Sequence, residues 1–199
     1  MKISPHRAML YRLMDIDQAV RNASNRHFRR KPGFGPAGET HRFHAPCVPD
    51  LLYNVIQEAK LPAEHSFADL GSGFGMACFA AALHFEKVAG FEINEEIMAV
   101  ARELKEQLKM GNVDFHHQDM RQADLSGFNV LHMFQPYIDN FVADMEQLLQ
   151  RVEPGTVVIS NIFTSMRRQI FSNKGFEQLY PPVLPSQARP SMIHVHQKA

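Results

Sequence analysis

Phe67-Ala68-Asp69-Leu70-Gly71-Ser72-Gly73-Phe74-Gly75 decides how the chain is read. A short apolar run ends in an acid, glycines follow at alternate positions, and the stretch from Met76 to Phe85 is rich in Ala and Leu. We expect a strand, then a tight loop, then a helix whose first amides point back at a ligand. Glycine permits positive φ and lets a ligand approach where a Cβ would intrude. A dinucleotide fingerprint needs Gly-x-Gly-x-x-Gly, but the sixth position counted from Gly71 is Met76. The spacing is Gly-x-Gly-x-Gly instead, and Asp69 beside it would repel a pyrophosphate. Both features favour a ligand with a cationic or amino-acid moiety.

Downstream, Lys87 to Phe91 reads as a buried strand with Glu92 at its carboxyl end. Asn94 then caps a helix running through Ile97, Val100, Ala101, Leu104 and Leu108. Glu92 follows Asp69 by 23 residues, a distance at which an acid in a βαβ unit reaches ribose hydroxyls. The plainer reading is an acid stabilised at a helix N-terminus. Asn112 to Met120 reads as a third strand with Asp119 after it, and Gln118 is a possible helper. Asn129 to Phe134 reads as a fourth, leading into Gln135-Pro136-Tyr137. Asp69, Glu92 and Asp119 thus close three successive predicted strands, where ligands bind in open α/β sheets.

A helical period runs from Tyr137 to Gln150, Pro154-Gly155 turns, and Thr156 to Phe163 is a near-continuous apolar strand. Gly175–Tyr180 and Ser191–His196 are further extended segments around a proline-rich loop. On the last of these, Met192, His194 and His196 share one face and Ile193 and Val195 the other. Those histidines are expected at the strand surface.

Upstream, Ser4 to Asn25 has a helical period, and Val48 to Leu61 forms a second helix with Leu51, Leu52, Val55 and Ile56 on one face. Between them, Arg26 to Pro49 is broken by prolines and glycines and is the most basic stretch. It is either a solvated linker or an arm that closes over the ligand or admits an acidic substrate. The division is therefore an N-terminal helix and flexible basic arm over 1–47, and a ligand-binding domain over 48–199. His41, His44 and Cys47 suggest zinc, but no second ligand pair stands at metal-site spacing, so no metal is expected. Adjacent His116 and His117 face opposite sides of a strand and cannot chelate one ion together.

The 21 basic and 21 acidic residues balance, which implies no general attraction to nucleic acid or membrane. No apolar run is long enough for a bilayer and no secretory signal is apparent, so a cytoplasmic protein is expected. Cys47 and Cys78 fit neither disulfide nor zinc spacing, and Cys78 reads as a buried thiol.

Asp69-Leu70-Gly71-Ser72-Gly73-Phe74-Gly75 resembles motif I of the class I (seven-strand, Rossmann-like) methyltransferases that use S-adenosylmethionine. Arg151-Val152-Glu153-Pro154-Gly155-Thr156-Val157-Val158-Ile159 is similar to the turn before their fifth strand, and the resemblance extends from Val48 onward. It implies a three-layer α/β/α sandwich whose mostly parallel seven-strand sheet ends in an antiparallel strand. It also implies S-adenosylmethionine as cofactor. Asp69 would orient the cofactor's amino group, and Gly71, Ser72, Gly73 and Gly75 would form its loop. Glu92 and Ile93 would lie at the ribose, Asp119 and Met120 at the adenine, and Phe134 at the strand end where the acceptor arrives. Tyr137 and His132 are the candidate catalytic bases.

At that strand end, Phe134-Gln135-Pro136-Tyr137 keeps the aromatic and one proline of the base- and glutamine-methylating enzymes but lacks their Asn or Asp. The segment from Val48 resembles the lead-in of several lysine methyltransferases. The acceptor is thus read as a protein lysine first and a small molecule second. Two other readings stand beside this one. Phe134 favours a non-catalytic module that keeps the fold, whereas a nicotinamide oxidoreductase is disfavoured by the glycine spacing and Asp69.

Overall fold

A run with apolar residues on both alternating sets of positions needs cover on both sides, and Phe67 to Leu70, apolar but for Asp69, is such a run. In the computed structural model, which describes residues 4–28, 48–134, 140–162, 164–172, 174–180 and 193–199, it forms β1 (Ser66–Leu70), buried along its whole length. Around it lie β2 (Lys87–Glu92), β3 (Val113–His117), β4 (Val130–Phe134), β5 (Val157–Asn161), β6 (Phe176–Tyr180) and β7 (Ile193–Lys198), in the order β3-β2-β1-β4-β5-β7-β6. β1 to β5 are mutually parallel; β7 runs antiparallel to both β5 and β6. The chain reverses direction in the sheet between β1 and β4, the switch point at which open α/β sheets leave a crevice.

The helices are α1 (Pro5–Phe28), α2 (Pro49–Glu58), α3 (Met76–Ala81), α4 (Glu95–Leu108), α5 (Phe141–Gln150) and α6 (Thr164–Phe171). Strand alternation divides the core into two layers. Phe67, Val88, Val113, Val130, Ile159 and Val195 meet α1 to α4 on one face. Ala68, Phe91, Leu131, Met133 and Val158 meet α5 and α6 on the other. α1 is part of the first layer, since Leu10 and Leu13 are buried in the same cluster as Leu52 and Phe79. α4 starts as its sequence predicts: Asn94 Oδ1 accepts from the Ile97 amide at 3.1 Å. It stops at Lys109, which takes the left-handed conformation at φ 57°.

Three expectations change. The helix after the glycine loop ends at Ala81 rather than Phe85, and the amides of His84 and Phe85 turn back on the Ala81 carbonyl. α6 was not anticipated. The β7 histidines are not surface groups. His194 and His196 are buried at 4% and 5% exposure on the α6 face, where the His196 ring lies parallel to Phe171 at 4.0 Å. The period-two pattern put them on one side correctly, but α6 covers that side. The basic segment and the His41, His44 and Cys47 group lie outside the described residues.

Candidate functional site

The glycine loop leaves β1 through positive φ at Gly71 (81°), Gly73 (54°) and Gly75 (82°). Gly71 and Ser72 both donate their amides to the Phe91 carbonyl at 2.9 Å, which ties the loop to the end of β2. Glu92 completes the tie: Oε2 accepts from the Gly73 amide at 2.9 Å and Oε1 from the Asn94 amide at 2.8 Å. One carboxylate therefore joins the loop to the start of α4, with hydrogen bonds of the charge-assisted kind. Glu92 stays partly exposed. Ile93 follows it, half-buried, its carbonyl 2.9 Å from His117 Nε2.

Gly75 is where loop and sheet pack most closely. A Cβ there would stand 2.5 Å from Phe115 Cζ. Gly90 in β2 is the counterpart beneath the loop, where a Cβ would meet Ser72 Oγ and Phe115 Cδ1 at 2.8 Å and Cys78 Sγ at 2.9 Å. Sequence reasoning passed over Gly90, although a glycine inside a strand is itself a sign of close approach.

Asp69 is deeply set, 3% exposed, on the α3 face of β1. Its register partner in β4 is His132, and Asp69 Oδ1 lies 2.7 Å from His132 Nδ1. The Cys78 thiol approaches Oδ2 at 3.8 Å. His132 is 1% exposed, its ring parallel to Phe67 at 6.1 Å. It is thus not placed to take a proton from an incoming acceptor, the role its sequence position suggested, because β4 turns it into the α3 layer. Gln135 to Tyr137 lie outside the described residues.

Asp119 caps the short 3-10 turn Met120–Gln122, accepting from the Arg121 amide at 2.9 Å. The Arg121 guanidinium clasps the same carboxylate, with Nη2 to Oδ2 at 2.6 Å and Nε to both oxygens, and reaches Asp144 of α5 at 3.4 Å. These hydrogen bonds hold the Asp119 carboxyl below the usual carboxylate range. Met120 is nearly buried, and its Sδ lies 3.9 Å from where a Gly71 Cβ would stand. Phe134, half-buried, closes β4 opposite Asn161 of β5. The structure thus brings Gly71, Ser72, Gly73, Glu92 and Met120 together at the carboxyl ends of β1 and β2. Asp69 lies beneath them, and Asp119 is at hand in the turn after β3.

A family model described as the ANTKMT methyltransferase domain matches residues 69–169, just over half of the chain. The chain belongs to this methyltransferase family. Solved structures extend the likeness. Magnesium protoporphyrin IX methyltransferase from Synechocystis PCC 6803, with bound S-adenosylmethionine, is 19% identical. The match covers 92% of this chain and 97% of that one at a TM-score of 0.62. An RNA methyltransferase from Salinibacter ruber, in complex with S-adenosylhomocysteine, is 20% identical over 77% of this chain and 92% of its own, at a TM-score of 0.58. A methyltransferase from Thiobacillus denitrificans, also with S-adenosylhomocysteine, is 26% identical over 61% and 51%, at 0.50. A search of curated proteins found no match. The methyltransferase has the class I fold, with the antiparallel β7 as its last strand in sequence.

Away from the loop, the α6 face holds polar groups that sequence reasoning did not foresee. Ser160 Oγ and the Nδ1 atoms of His194 and His196 are buried with no hydrogen-bond partner among the described residues. Burial pushes both imidazoles down to about 4, helped by the nearby positive charge of Arg167, so both rings are neutral near pH 7. Among the described residues, no group of three or more His, Cys, Asp or Glu side chains could hold a metal, and no helix is long and apolar enough to cross a membrane.

Proposed function

We propose that this chain transfers a methyl group from S-adenosylmethionine to a lysine amine of a protein. The observation that carries the reading is Glu92, whose carboxylate ties the Gly73 amide to the Asn94 amide at the mouth of β1 and β2. An acid so fixed is preorganised to accept from a pair of vicinal hydroxyls. The residues present fit the cofactor. Gly71 lacks the Cβ that would project toward Met120, and Ser72 Oγ is buried beside the loop without a partner among the described residues. An acid, Asp69, underlies the end where a cationic amino group would lie.

In this reading the loop from Gly71 to Gly75 and Asp69 hold the amino-acid part, Glu92 and Ile93 the ribose, and Asp119 and Met120 the adenine. The cofactor supplies an electrophilic methyl group, already activated by the positive sulfur. The chain's own task is alignment and exclusion of water, with Phe134 as an apolar wall at the end of β4. The ANTKMT family match supports lysine as acceptor, as does the absence of the Asn-Pro-Pro signature around Phe134. A lysine must shed a proton before it can attack, and Tyr137, as its phenolate, is the residue we assign to receive it. The buried thiol of Cys78, which forms no disulfide among the described residues, suits a reducing, cytoplasmic setting.

Titration calorimetry with S-adenosylhomocysteine tests the cofactor assignment, and no binding at near-millimolar ligand overturns it. Transfer of labelled methyl from S-adenosylmethionine to cell-extract protein, followed by acid hydrolysis, tests the acceptor. Methyllysine is expected. Label recovered only in small molecules refutes the protein lysine.

A further inference from the structure

We infer that His132 is a positioning residue for the cofactor site, holding the Asp69 carboxylate in place from the adjacent strand. The inference rests on the cofactor reading above and adds to it a residue that never touches the ligand. His132 occupies the middle of β4, flanked across the sheet by Asp69 on one side and Ile159 on the other. Its ring is enclosed and stacked at 20° to Phe67, and its Nε2 is buried with no partner among the described residues. An apolar side chain would fill this place without leaving a nitrogen bare, so packing alone gives no reason for a histidine. Among the described residues, the one polar contact the ring makes is Nδ1 to Asp69 Oδ1 at 2.7 Å.

Where the Asp69 carboxyl is ionised its oxygen accepts, which places a hydrogen on Nδ1. With Oδ1 engaged, the carboxylate plane is set, and Oδ2 is turned toward Cys78. Cys78 Sγ and Ser72 Oγ both crowd the Cβ position missing at Gly90, the register partner of Asp69 in β2. His132 therefore braces the acid from the β4 side while the absent side chain of Gly90 leaves room on the β2 side. The buried, partnerless Ser72 hydroxyl lies over the same spot, next to the end of the loop that would receive an amino group.

The test compares two probes, S-adenosylhomocysteine and 5′-methylthioadenosine, which lacks the amino-acid portion. Both are titrated calorimetrically into wild type, H132L and H132N. Leucine fills the space without a donor, whereas the asparagine amide restores one near the position of Nδ1. We expect H132L to weaken S-adenosylhomocysteine by roughly tenfold or more while 5′-methylthioadenosine stays within about twofold, and H132N to recover most of the loss. Equal weakening of both probes in H132L, or none, overturns the inference while leaving the cofactor reading intact. Wild type that binds neither probe overturns both.

Should H132L fail to fold, judged by its thermal melt, nitrogen-15 NMR of the ligand-free wild type decides the matter. A His132 ring protonated at Nδ1 supports the positioning role. A ring protonated at Nε2 alone overturns it.

Discussion

Replacing Gly75 with alanine tests both the loop geometry and its packing. The residue sits at φ 82°, where an L side chain is strained by roughly 1–2 kcal/mol. The new methyl would stand 2.5 Å from Phe115 Cζ, 3.0 Å from Phe115 Cε1 and 3.2 Å from Phe79 Cε2. Neither ring can swing aside freely, since both are buried and they pack edge to face at 5.7 Å. Overpacking of this kind costs about 1–3 kcal/mol more. The sum is about 2–5 kcal/mol, or a fall in melting temperature of roughly 5–20 °C for a chain of this size. Gly155 supplies the control, with φ 84° and no atom within 4 Å of an added Cβ, so G155A carries the backbone term alone. The assay is thermal and urea unfolding of G75A, G155A, F115L and G75A/F115L. The double variant isolates the clash as a coupling energy of about 1–3 kcal/mol between positions 75 and 115. G75A no less stable than G155A, or positions 75 and 115 that simply add, refutes the packing argument.

Truncating Glu92 to alanine removes two backbone ties and the proposed ribose acceptor, and should weaken S-adenosylhomocysteine by about a hundredfold or more in calorimetry. Unchanged affinity refutes its role. If Asp119 receives an adenine amino group, D119A should lose the preference for S-adenosylhomocysteine over its inosine analogue by roughly tenfold, measured by competition. Acid should expose the buried β7 histidines. Their folded values near 4 lie below the ordinary 6.5, so folding favours the neutral rings. The stability they contribute is full above pH 6.5 and is lost as pH falls toward 4, on the order of 1–2 kcal/mol each after allowance for screening. Urea midpoints across pH 4 to 7 check this, and H196F, which keeps a ring against Phe171, should flatten the fall by about one proton.

Those histidines also mark the limit of what the chain reveals without coordinates. The glycine loop, its flanking strand and the acids at 92 and 119 were legible because each is local: a run, a spacing, a cap. Asn94 and the helix after it are of the same kind. The pairing of Asp69 with His132 joins residues 63 apart through the register of β1 and β4, which no local period encodes. His194 and His196 fell on the expected face of β7, but whether that face is wet depends on α6, whose short sequence Thr164–Phe171 carries little apolar signal of its own. The clasp of Arg121 on Asp119 lay in plain view at a spacing of two residues. It went unread because strand and turn patterns give no notice of a side-chain ion pair.

The place of β7 in the sheet also constrains the order of assembly. Among the described residues β6 pairs with no strand but β7, so its ladder cannot join the parallel strands until the later strand has docked on β5. The antiparallel pair must therefore form as a hairpin first, or β7 must arrive alone and recruit β6 afterwards. Lys198, at the end of β7, reaches the last carbonyls of α5, with Nζ 3.4 Å from that of Leu149 and 3.2 Å from that of Gln150, and the Val152 carbonyl just beyond the helix at 2.6 Å, so a late step in sheet assembly also locks a helix. Amide exchange should find β6 opening no less readily than β7, because nothing holds its ladder once its neighbour has left.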